Sequence, residues 1–112
     1  MIALTTTNNW SSMKDILLYK FFEKLKALKF VDEIWLFGSR ARGDNGSRSD
    51  IDLAIICDGA TDNDWIKLTD IIEDADTLLK IDCIRFAKEL IDPTLYQNIL
   101  KDKKVIYVKK HD

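Results

Sequence analysis

The chain has 112 residues, 46% hydrophobic and 32% charged, with a formal net charge of −2 at pH 7. Those proportions are a globular protein's and call for one domain over residues 1–112, large enough for a real core but without room for a second. They exclude the basic field that strong direct nucleic-acid binding needs, and no apolar run approaches the roughly 18 residues of a membrane span.

Met1 to Asn9 is polar and reads as loosely held, with no charged-then-apolar leader. Ser12 followed by Asp15 has the pattern of a capping box, and Met13, Leu17, Phe21, Leu25 and Leu28 then recur at helical spacing, so an amphipathic helix is expected to about Lys29. Glu33 to Phe37 is a short apolar and aromatic strand, and Ile51 to Cys57 a second. Thr61 to Asp64 is another capping pattern, ahead of a helix whose stripe is Trp65, Leu68, Ile72, Ala75 and Leu79; Glu73, Asp74 and Asp76 fall on its solvated side. Lys80 to Phe86 forms a third strand. Asp92-Pro93 then starts a short helix, with Asp92 as N-cap and Leu95 and Ile99 facing inward. Val105 to Val108 is a last strand, at a sheet edge or against a partner. This order of elements calls for an α/β or α+β domain, a small mixed sheet with helices on one side. Cys57 and Cys83 read as buried free thiols of a cytoplasmic protein, and the lone histidine, His111, leaves no basis for a zinc site.

The chemistry is concentrated between the first two strands. Asp50 and Asp52 alternate onto one face of the second strand, about 7 Å apart along it. Two carboxylates so placed repel each other, and a divalent cation between them is the simplest remedy. One or two Mg²⁺ ions suit the position, being hard, oxygen-loving and commonly shared with substrate phosphates. Upstream, Gly38 lets the backbone turn or approach a ligand closely, and Ser39 is placed to cap a helical turn whose free N–H groups would hold an anion. Taken singly, a Gly-Ser is a turn and an Asp-x-Asp a surface pair. Together, ten residues apart in a strand–loop–strand setting, they point to a nucleotide-and-metal site. Arg40 and Arg42, just after the cradle, are better placed than Arg48 to contact phosphates. A strand–helix–strand connection can set the third strand beside the second and bring Asp82 near Asp50 and Asp52.

Gly38-Ser39, ten intervening residues and Asp50-x-Asp52 resemble the signature of the DNA polymerase β-like nucleotidyltransferase superfamily, and the chain as a whole is similar to its minimal branch. That resemblance implies a polymerase β palm-like fold and transfer of a nucleoside monophosphate, AMP from ATP in the leading case, to a hydroxyl with loss of pyrophosphate. It implies that Asp50, Asp52 and Asp82 hold the metal and do the catalysis. It also implies a partner, a HEPN-domain toxin encoded alongside, silenced by AMP placed on a tyrosine. Two other expectations stand beside this one: an antitoxin that neutralises the partner by contact alone, and a nucleotidyltransferase for small molecules of the antibiotic-modifying kind.

Overall fold

Alternation along the strands decides the architecture. The structure, a computed structural model, describes residues 16–46 and 48–110; the expected cap at Ser12, the first apolar position Met13, and His111 lie outside them. In chain order the elements are α1 (Lys20–Lys26), β1 (Glu33–Phe37), α2 (Gly38–Arg42), β2 (Ile51–Ile56), α3 (Asp62–Glu73), β3 (Ile81–Arg85), a 3-10 turn (Lys88–Leu90), α4 (Pro93–Asp102) and β4 (Lys104–Val108). They form one mixed sheet in the order β3-β2-β1-β4. The pairs β1–β2 and β1–β4 are antiparallel, while β2 and β3, joined through α3, run parallel.

Ile34 and Leu36 of β1 and Ile51, Leu53 and Ile55 of β2 share the larger core with Phe21, Phe22 and Leu25 of α1 and Leu68 of α3. Each such side chain, fully removed from water, contributes about 1.5–3 kcal/mol. The intervening strand positions turn to the opposite face, where Trp35, Ala54 and Ile99 form a second, smaller cluster with Phe37, Ile56, Ile84 and Phe86 around it. Ile99 belongs to α4, so helices lie on both faces of the sheet and not on one. The reason is that Trp35, Ala54, Ile84 and Phe86 are themselves apolar and need a cover, which α4 supplies. Tyr96 of α4 stacks on Phe86 at 4.8 Å between ring centroids.

The helix starts after the second and third strands follow the sequence closely. Thr61 and Asp64 make the reciprocal capping box of α3, and Asp92 accepts from the N–H groups of Thr94 and Leu95 ahead of Pro93. Three expectations are corrected. The first helix is broken at Tyr19, whose extended backbone (φ −72°, ψ 144°) separates helical residues 16–18 from α1. The new N-terminus is capped from afar: Asp76 Oδ2 accepts from the Lys20 N–H at 2.9 Å and Oδ1 from the Phe21 N–H at 3.0 Å. Asp76 is therefore a helix cap and not part of an idle acidic face, and those N–H donors lower its pKa. The third helix stops at Glu73, so Ala75 and Leu79 reach the core from the connection that follows it. The last strand is an edge strand, with Lys103 Nζ 3.8 Å above the Trp35 ring just before it. Both cysteines are free, Cys57 buried and Cys83 half-buried. No described helix is long and apolar enough to cross a membrane.

Candidate active site

Where β1 ends, Gly38 takes a left-handed conformation (φ +74°) and opens α2 directly. A side chain there is excluded twice, by the backbone angle and by space: an added Cβ would collide with Asp52 Oδ2 and lie 3.2 Å from its Cγ. The glycine therefore lets the start of α2 sit against the Asp52 carboxylate. Phe37 occupies the N-cap position and no side chain caps the helix. Ser39 is thus the second helical residue and not its cap, and its hydroxyl is not spent on the first turn's N–H groups. The far end of α2 closes on Gly43, also left-handed (φ 85°), whose N–H donates to the Ser39 carbonyl at 2.9 Å.

The acids come together through strand register. Asp52 is opposite Phe37 in the antiparallel pair and opposite Asp82 in the parallel pair. Asp50, two positions before Asp52, shares its parity and so its face. These three sit on the same side of the sheet as the smaller apolar cluster. Burial first, then the negative charges of Asp82 and Asp50, and a carboxyl–carboxyl contact with Asp82 push the Asp52 pKa up to about 6, against a smaller opposing pull from Arg40. That contact is a hydrogen bond only while one of the pair carries a proton. A neutral to mildly alkaline solution therefore leaves a half-buried, mutually repelling set of carboxylates.

All of these donors are carboxylate oxygens, the set that suits a hard cation such as Mg²⁺ and not zinc. Among the described residues, no three His, Cys, Asp or Glu side chains are gathered tightly enough to hold an ion as they stand. A cation also stands just before β3. Lys80 Nζ lies 3.6 Å from Asp82 Oδ1, a cation the sequence reading passed over although Lys80 and Asp82 share a face by the same alternation that pairs Asp50 with Asp52.

The two loop arginines part company. Arg40 is 4% exposed, and it donates from Nε and Nη2 to the Ser49 carbonyl at 3.1 and 2.9 Å and from Nε to the Asp50 carbonyl at 3.3 Å. Arg42 is half-exposed and pairs with Asp44 and with Asp102 of α4, each at 3.1 Å. Arg48 lines a hollow with Leu78, Leu79 and Lys80. Both favoured arginines thus have protein partners, which composition and spacing could not reveal.

Comparison with known proteins gives the family and the fold. The family model described as Polymerase beta, Nucleotidyltransferase matches residues 18–112. No curated protein matches the chain. Among solved structures, it is similar to a mutant of the toxin–antitoxin MntA-HpeT, at 16% identity and a TM-score of 0.59, over 86% of this chain and 73% of that one. A toxin–antitoxin crystallised with AMP-PNP is similar at 20% identity and a TM-score of 0.54, over 85% and 73%. A putative nucleotidyltransferase from Sulfolobus solfataricus is similar at 20% identity and a TM-score of 0.55, over 91% and 88%. At such identities the likeness is one of fold, the nucleotidyltransferase fold.

Proposed function

The chain belongs to the polymerase β nucleotidyltransferase family, and from that premise we propose that it transfers AMP from ATP to a tyrosine hydroxyl of a HEPN-type toxin, as the antitoxin of the pair. The observation that carries this reading is the register of Asp52 with Asp82, beside Asp50 and against the glycine that opens α2. The toxin–antitoxin relatives, one of them crystallised with AMP-PNP, support the choice of nucleotide and the class of partner.

In this reading Gly38 and Ser39 orient the triphosphate, through backbone N–H groups of the first turn and the serine hydroxyl. Asp50, Asp52 and Asp82 would hold Mg²⁺, which when bound supplies positive charge to the phosphoryl oxygens and to the departing pyrophosphate. Asp82, on the edge strand, takes the proton from the incoming hydroxyl. The hydroxyl oxygen bonds to the α-phosphorus as the bond to the β-phosphate oxygen breaks, and pyrophosphate leaves. Holding the reactants in line and neutralising charge account for most of the acceleration.

One observation favours the contact-only antitoxin as the second reading: the described acids are not gathered into an ion-holding shell, and Asp82 already has Lys80 beside it. The two are separated by the mass of the co-expressed partner after incubation with Mg²⁺ and ATP. A gain of one or more AMP units that disappears in Asp50→Asn is the expected result. A partner that is inhibited but keeps its mass overturns the transfer and leaves binding.

A further inference from the structure

Arg40 is the one buried charged side chain among the described residues, and it has no acidic partner within ion-pairing distance there. A guanidinium taken out of water without a carboxylate is expensive unless its N–H groups are satisfied. Here Nε and Nη2 donate to main chain, at the Ser49 and Asp50 carbonyls. The contact spans the loop from α2 to the first residues of β2. Within that loop Gly43 is left-handed, and Gly46 exchanges hydrogen bonds with Ser49 and accepts one from the Asn45 side-chain amide. A chain of this composition does not by itself fix where β2 begins.

We propose that Arg40 is a positioning residue for the metal site: it ties α2 to the main chain at Ser49 and Asp50, and so sets the Asp50 and Asp52 carboxylates against the phosphate-binding turn. It does this without touching the nucleotide. The fork matters, because a planar guanidinium reaches two successive carbonyls at once, which an ammonium cannot do in fixed geometry. Its charge also lies close enough to steady Asp52 against its acidic neighbours. The inference rests on the proposed metal site, and the test separates the two.

The measurement is Mn²⁺ binding to the protein alone, without nucleotide, followed by the spin resonance of free Mn²⁺. Wild type is compared with Arg40→Lys, Arg40→Gln and Asp52→Asn, together with amide hydrogen exchange over residues 49–52. Arg40→Lys, which keeps the charge and the better chance of folding, is expected to weaken Mn²⁺ binding by about 10-fold or more, the usual penalty for losing a group that orients metal ligands. Exchange at residues 49–52 is expected to quicken while that of α3 stays as in wild type. Ile99→Val, a core change of modest cost, is expected to leave Mn²⁺ affinity unchanged. Unaltered Mn²⁺ affinity in Arg40→Lys, or an unaltered exchange rate at residues 49–52, overturns the positioning role. So does a loss confined to ATP affinity, which would make Arg40 a nucleotide ligand. If wild type itself takes up no Mn²⁺, the metal reading has failed and this inference falls with it.

Discussion

On one side of β2 stand Ile51, Leu53 and Ile55, each fully buried under α1 and α3. On the other stand Asp52 and Ala54, with Asp50 just ahead, beside Asp82 and the small cluster around Trp35 and Ile99. A single stretch of backbone thus presents two environments with opposite energetics. The apolar face is locally consistent, every residue agreeing with its neighbours. The acidic face is frustrated, since carboxylates are drawn together with too little to neutralise them. The contrast teaches that stability and function are separated by strand parity: the odd-numbered face of β2 holds the sheet in place, and the even-numbered face is held in an arrangement it would not choose.

The separation can be tested by changing one face at a time. Asp52→Asn is expected to lower AMP transfer by on the order of 10³-fold, about 4 kcal/mol of transition-state stabilisation, in a partner-modification assay. Leu53→Ala, one position along and on the other face, is expected to lose about 3 kcal/mol of stability in urea unfolding. Its remaining folded fraction should retain the chemistry. Were Leu53→Ala to abolish transfer in fully folded protein, the two faces would not be independent.

Gly38→Ala sits at the boundary between them. The left-handed backbone alone costs about 1–2 kcal/mol for a residue with a Cβ, and the methyl must also displace the Asp52 carboxylate. Reduced stability together with weakened Mg²⁺-dependent ATP binding is therefore expected, read by thermal shift with and without MgATP. A loss of stability with ligand binding intact would mean that Asp52 moves aside without consequence.

The smallest effect is also the most diagnostic of frustration. Asp52 has a folded pKa of about 6, above the ordinary carboxylate value of about 4. Between those values the folded protein keeps a proton that the unfolded chain has lost. The stabilisation is complete below about pH 4, declines as pH rises through 4 to 6, and is gone above. Two units would correspond to nearly 3 kcal/mol in a dry site; with Asp52 about half open to solvent, a change of about 1 kcal/mol is the realistic expectation. Unfolding free energies measured from pH 4 to 7 should show that decline in wild type and a flatter profile in Asp52→Asn, which at pH 7 should be the more stable of the two.

Much of this was legible from residue order. The alternation of Ile51 to Ile56 and the Thr61 and Asp92 caps follow from local rules, because parity and capping act over a few residues; the place of Asp82 on a neighbouring strand needed the longer-range strand–helix–strand rule as well. The misreadings share a cause. The break at Tyr19 depends on an acceptor 56 residues away at Asp76. The cover over Trp35 depends on where α4 lands. The occupations of Arg40 and Arg42 depend on carbonyls at Ser49 and Asp50 and on carboxylates at Asp44 and Asp102.

Residue order by itself determined the strands, the faces they bury, the glycine turn and the placing of Asp50 and Asp52 on one strand face, since each of these is dictated by chemistry within a few positions along the chain. Only the tertiary structure decided how the acids meet, which arginine is buried, and what caps the first helix. Those depend on hydrogen-bond and charge partners that become neighbours only after the sheet has closed, and no local pattern encodes the distance between them.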